Sequence, residues 1–183
     1  PYANYNQLTS DTDRYNRPWL DPATSTRWMS LNGVWNVSVV DHPNQRPGAE
    51  DFYGDDVDVS KWDTISVPSC LEMKGFCEPY YINVNYAFAD NPPYINMLDG
   101  LPQPVASYRR DFDLPAGWST ERTLLHFDGI YSAAYVWVNG VFVGYTQGAN
   151  NDHEFDITPY VREGSNNVSV QVFRWSDGSY LEG

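Results

Sequence analysis

The side chains best equipped for chemistry in this sequence are three histidines, two cysteines and an excess of carboxylates. His42, His126 and His153 lack the spacing of metal ligands. His126 also falls within a predicted strand, so none of the three is assigned a catalytic role. Cys70 and Cys77 are the only cysteines, and one pair makes neither a disulfide framework nor a zinc site. Asp and Glu number 24 against 11 Lys and Arg, but they are dispersed, and no two share a recognisable acid/base setting. Ser176-Asp177-Gly178-Ser179 has the composition of a turn after a long strand. Tyr135 and Trp137 suggest a stacking platform. Alternation within their strand predicts instead that at least one belongs to the core, and packing is the preferred reading.

The charge balance narrows the partners. A formal net charge of −13 without any Lys/Arg cluster repels phosphate backbones and anionic lipid, which leaves a neutral ligand as the better fit. No apolar run approaches the length of a membrane span. The polar start from Pro1 to Ser10 has neither the basic nor the apolar region of a signal peptide. The protein is expected to be soluble, in either the periplasm or the cytoplasm. The sequons at Asn36 and Asn167 lie inside strand-like runs and read as chance matches.

The elements that must position any site are strands. Tyr135-Val136-Trp137-Val138 runs into Asn139-Gly140 and out through Val141-Phe142-Val143. Asn and Gly tolerate the positive φ of a type I′ turn, so a β-hairpin is predicted. Val168, Val170 and Val172 alternate in a further strand reaching Trp175, whose other face is polar, as an outer sheet surface would be. More strands are predicted at Gly33 to Val40, Trp62 to Val67, Ser107 to Leu114 and Thr123 to Phe127, each bounded by turn-forming residues. Thr158-Pro159-Tyr160-Val161 has the marks of one helical turn with Thr158 as its cap. Glu78 to Pro104 carries five prolines and five aromatic residues without alternation, and reads as a long binding or interface loop. At 183 residues, many short strands without a βαβ rhythm point to one all-β domain, an antiparallel β-sandwich of jelly-roll type.

Six pieces then fall in a familiar order. They are Ser30-Leu31-Asn32-Gly33-Val34-Trp35, Val67-Pro68-Ser69, Tyr108-Arg109-Arg110-Asp111-Phe112, the long run from Phe127 through Asn139-Gly140 to Tyr145, Glu154-Phe155-Asp156-Ile157-Thr158, and the closing Arg174-Trp175-Ser176-Asp177-Gly178-Ser179-Tyr180-Leu181-Glu182. Together they resemble the N-terminal, galactose-binding-like sugar-binding domain of family 2 glycoside hydrolases. The closing run and Tyr81-Ile82-Asn83-Val84-Asn85-Tyr86 are more similar to the β-galactosidases of that family than to its glucuronidases or mannosidases. The resemblance covers the chain from about Arg17 onward, leaving 1–16 as an N-terminal extension.

The resemblance implies a multidomain, retaining exo-β-galactosidase, in which this domain precedes immunoglobulin-like domains and a catalytic barrel holding two glutamates. Nothing in the chain matches the motifs of those glutamates, so no catalytic residue is assigned here. Its role is expected to be completion of the galactose pocket, with Asn83 and Asp177 matching the family's sugar-contacting positions. A carboxylate accepts from sugar hydroxyls, whereas an amide both donates and accepts. The same Asp177 matches a position that helps hold sodium. The resemblance implies sodium and magnesium in the full-length enzyme, no cofactor required by this domain, a β-galactoside and the downstream barrel as partners, and a homo-oligomer when full length. An autonomous carbohydrate-binding module and a purely structural domain are the competing readings. Two departures from the family pattern are Asn150-Asn151-Asp152 before Glu154 and Cys70 to Gly75 where an Asn-Trp pair is usual, so the contacts of those loops are expected to differ.

Overall fold

Strand formation follows the alternation of the sequence, and the valines of the last strand show how the layers are built. A computed structural model describes residues 27–80 and 86–181. Within them lie β1 Gly33–Val40, β2 Asp63–Val67, β3 Val105–Leu114, β4 Leu124–Phe127, β5 Ala133–Val138, β6 Val141–Gln147, β7 His153–Asp156 and β8 Gly164–Phe173. Six of them form one sheet in the order β2-β1-β3-β8-β5-β6, and β4 pairs with β7 in a second. All pairings are antiparallel. The chain is therefore an antiparallel β-sandwich, as predicted.

The inner face of the large sheet is apolar. Val168 and Val170 of β8 sit beside Val136 and Val138 of β5, Ala106 of β3, and Trp35 and Val37 of β1 in one buried cluster, closed from above by Leu125 of β4 and by Ile157. The two layers pack tightly at Gly144 of β6, where an added Cβ would stand 2.8 Å from Phe155 Cε1 of β7. Toward β1 and β3 the smaller sheet does not reach, and a groove of about 730 Å³ lined by Trp35, Tyr108, Phe112 and Phe127 opens between the layers. The β5–β6 hairpin forms as predicted, with Asn139 at φ 50° and Gly140 at φ 80°.

Three expectations change on the outer face and in the connectors. First, the polar face of β8 is not solvent-exposed. Ser169 and Gln171 are buried, because residues 43–62 fold over them with Phe52 fully buried beneath. Arg109 of β3 anchors this cover. Its guanidinium donates to the carbonyls of Phe52 (2.8 Å), Gly54 (2.8 Å) and Asp55 (2.9 Å). Asn167, one of the two sequon residues, is buried here and donates to the Asp55 carboxylate at 2.6 Å, so its amide is committed within the fold.

Second, Tyr135 and Trp137 are two residues apart and share one face of β5. It is Val136 between them that enters the core. Trp137 is partly buried against Tyr53 and Phe52, and Tyr135 is exposed. Third, Thr158 is not a cap. Asp156 accepts from the Thr158 backbone N–H (3.1 Å) and hydroxyl (2.6 Å), while the expected single turn is present but closes on the Ile157 carbonyl, which accepts from the N–H groups of Tyr160 (2.9 Å) and Val161 (3.2 Å). β7 is a strand that alternation did not predict, and β8 ends at Phe173 rather than Trp175.

Candidate functional site

Beyond β8 the chain leaves the sheet through Arg174 and Trp175 and closes into a 3₁₀ turn, Asp177–Tyr180. Local chemistry shapes the turn. The Ser179 backbone N–H donates to the Ser176 carbonyl (2.9 Å), and the Ser176 N–H donates to Ser179 Oγ (3.1 Å). Its underside is pinned to the sheet by a buried hydroxyl cluster, in which Ser132 Oγ lies 2.8 Å from Ser176 Oγ and 3.3 Å from Ser179 Oγ. Ser132 and Ser179 are both buried, so these hydroxyls satisfy one another where water is excluded. Asp177 is left exposed at the start of the turn. Its Oδ1 accepts from the Gly178 N–H at 3.1 Å, which aims the carboxylate without burying it.

The same turn is bound to the long aromatic loop. The Tyr180 hydroxyl accepts from the Asn91 N–H (3.1 Å) and lies 2.8 Å from the carbonyls of both Ala89 and Tyr94, either of which can take its one proton. Tyr86 in turn donates its hydroxyl to the Tyr180 carbonyl at 3.1 Å. The rings of Phe88 and Tyr180 meet edge to face at 5.0 Å, and Phe88 packs on Trp175 at 5.7 Å. Phe88 and Trp175 form a small second core. On the other side, Arg174 donates to the Glu78 carbonyl (2.9 Å), pairs with Glu72 (3.2 Å) and lies over the Tyr80 ring at 5.4 Å.

Residues 174–180 therefore grip the described chain on both sides of 81–85, at Tyr80 and at Tyr86. Asn83 lies outside the described residues. Asp177 is placed at the surface of the turn as an available acceptor. The supporting residues Ser132, Ser179, Arg174 and Tyr180 had no assigned role. Three of them stand in the closing run, but only the tertiary contacts reveal what they hold.

Other reactive groups have structural partners. His126 bridges Glu154 (3.1 Å) and Asp128 (3.2 Å) across the β4–β7 pair. His153 is held between Thr146 (2.5 Å) and the Gly148 carbonyl (3.1 Å). Partial burial, followed by the nearby Glu72 charge, raises the Cys77 thiol pKa, which opposes formation of a nucleophilic thiolate. Among the described residues no three His, Cys, Asp or Glu gather into a metal-binding group, so Asp177 offers a cation one carboxylate. No helix among them is long and apolar enough to cross a membrane.

Comparison with known proteins adds a family. Residues 28–183 match the family described as glycosyl hydrolases family 2, sugar binding domain. A protein of Vibrio cholerae named beta-galactosidase is 44% identical over 157 residues, 84% of this chain and 14% of that protein. One of Psychromonas ingrahamii with the same name is 39% identical over 163 residues, 89% of this chain and 15% of that protein. The chain thus spans about one-seventh of these relatives' length. Among solved structures, a β-glucuronidase of Bacteroides uniformis superposes with a TM-score of 0.57 at 22% identity over 80% of this chain and 14% of that one. The β-glucuronidase of Bifidobacterium dentium gives 0.56 at 23% over 78% and 19%. At such identities these two speak for the fold alone.

Proposed function

The chain belongs to the sugar-binding domain family of the family 2 glycosyl hydrolases, and from that premise we propose that it is the non-catalytic, N-terminal part of an exo-acting, retaining β-galactosidase. In this reading the two glutamates that break the glycosidic bond reside in a barrel elsewhere in the parent protein. This domain supplies one wall of the pocket for the terminal, non-reducing galactosyl unit. Asp177 accepts hydrogen bonds from sugar hydroxyls, and Asn83 both donates and accepts. The Asp177 carboxylate is also the hard oxygen this chain would offer to a sodium ion beside the sugar, the remaining ligands coming from outside the described residues.

The observation that carries this reading is the anchoring of the Asp177 turn. The exposed carboxylate sits on a buried hydroxyl cluster, and the closing run holds the chain on either side of the segment containing Asn83, Arg174 lying over Tyr80 and Tyr180 of the turn accepting from Tyr86. A surface loop with no task would not need such support, whereas a residue that orients a sugar must be held against movement.

The test is kinetic. In the parent enzyme, Asp177→Ala is expected to lower kcat/KM on o-nitrophenyl β-galactoside at least tenfold with an unchanged unfolding midpoint, since the side chain's one described bond is within its own turn. Unaltered kinetics would remove Asp177 from the pocket. A lowered unfolding midpoint with normal turnover would make the domain a structural buttress. The 183-residue chain alone is expected to show no turnover, and substantial hydrolysis by it would overturn the division of labour.

A further inference from the structure

The cover on the outer face of the large sheet stops short. Residues 43–62 seal β3 and the near half of β8, then end against β5 with Tyr53 stacked on Trp137 at 4.6 Å and 8°. Beyond that line the face is aromatic and open. Tyr135 is 36% exposed, Tyr145 43% and Phe142 50%, and Tyr135 lies within 6.1 Å of Phe142, Tyr145, Trp137 and Phe173. Where cover and open face meet is a cleft of about 400 Å³, lined by Tyr53, Trp137 and Tyr135 together with Arg46, Pro47 and Gly48. Buried Gln171 also lines it and fixes the Pro47 backbone, its amide donating to the Pro47 carbonyl at 3.2 Å and to Ser107 Oγ at 3.1 Å.

We infer that this cleft is a second saccharide site, separate from the pocket that Asp177 serves, and that it takes a neutral pyranose ring. Its volume is within the about 300–1,000 Å³ of small-molecule sites, and its lining combines three aromatic rings, Tyr53, Tyr135 and Trp137, with the polar side chains of Arg46 and Gln171. The charges choose the class of ligand. A cation would meet the Arg46 guanidinium, which already lies 5.8 Å over the Phe173 ring, and among the described residues no carboxylate lines the cleft to offset it. An anion must approach a chain of net charge −13. A pyranose is neutral, lays an apolar C–H face on an aromatic ring, and turns its hydroxyls to the edge, where Arg46 and the Tyr53 and Tyr135 hydroxyls can meet them. The exposed ring of Tyr135 is the platform, and Trp137, whose own face is covered by Tyr53, buttresses it from the same side of β5.

The experiment is titration of the 183-residue protein with methyl β-D-galactopyranoside and with cellotetraose, followed by calorimetry and tryptophan fluorescence, with galacturonate and tetramethylammonium as charged controls. Millimolar binding of a neutral sugar is expected, with neither control binding. Tyr135→Ala should weaken it at least tenfold with the unfolding midpoint retained, and Asp177→Ala should leave it unchanged. Trp137→Ala supplies a second reading, and Tyr135→Ser a third should loss of the indole unfold the domain. No binding of either neutral sugar in the millimolar range overturns the inference. So does binding that survives Tyr135→Ala, and so does binding abolished by Asp177→Ala alone, which would assign the sugar to the other pocket. Concentration-dependent self-association abolished by Phe142→Ser would also overturn it, showing that the rings face a second copy.

Discussion

The two faces of β8 are equally dry but are held by opposite chemistry. On the inner face Val168 and Val170 pack among the apolar side chains of both sheets. On the outer face Asn167, Ser169 and Gln171 are buried as completely, yet each is a polar group that makes side-chain hydrogen bonds, with the Asn167 Oδ1 alone left unpartnered among the described buried side-chain atoms. Arg109 is the centre of that arrangement, since its guanidinium gathers three backbone carbonyls of a loop more than fifty residues away. Apolar packing tolerates approximate fit, whereas a buried cation requires every donor to be met. The polar face is therefore the more specific of the two and the more vulnerable to a single change.

That contrast makes a ranked prediction. Arg109→Ala leaves the carbonyls of Phe52, Gly54 and Asp55 without their donor and loosens the 43–62 cover, and it is expected to cost about 3–5 kcal/mol by urea denaturation. Val170→Ala removes two methylene-sized groups from the inner face, and the expected cost is about 2 kcal/mol. If the two substitutions cost the same, the outer face is held by its buried rings and not by the guanidinium. Sugar binding at the outer cleft sharpens the comparison further, because Arg109→Ala should weaken it through the displaced Tyr53 while Val170→Ala should not.

The difference between the faces also marks where sequence reasoning reaches its limit. Local rules are legible: Asn139-Gly140 dictates its turn, β1 runs over the predicted Gly33 to Val40, and alternating valines announce β8. What covers a face is not local. Ser169 and Gln171 look like solvent-facing residues until residues 43–62 are seen above them, and nothing in Arg109 itself names Phe52 or Gly54 as its partners. β7 escaped because His153–Asp156 carries a single apolar residue, Phe155, where the equally short β4 carries three, and its existence depends on β4. In the candidate site, Ser176 to Ser179 is readable as a turn. Tyr180 reaching Ala89, Asn91 and Tyr94 is not, because those contacts span some ninety residues of chain. Packing is the right reading for Trp137, which rests on Phe52 and Tyr53, but alternation does not put either ring in the core: a spacing of two places both on one face, and the residue between them goes inward.

The smallest expected effect concerns the rim of the polar face and is visible only as a function of pH. Asp55 receives both terminal nitrogens of Arg162 (2.8 and 3.1 Å) and the amide of Asn167 (2.6 Å). The Arg162 hydrogen bonds come first in holding the Asp55 pKa below its ordinary value of 3.8. Desolvation opposes them, and Asn167 and the charges of Arg162 and Arg109 assist. A carboxyl whose pKa is lowered by folding binds its proton more weakly in the folded chain than in the unfolded one. Its contribution to stability is thus fully present above 3.8 and fades as the pH falls through the lower folded value. Asp55→Asn removes that titration. Urea midpoints of the parent and the variant should differ at neutral pH and converge in strong acid, where the parent carboxyl is protonated too. A constant difference across that range would mean that Asp55 holds the cover by shape and neutral hydrogen bonding, and that the one charge essential to the outer face is Arg109.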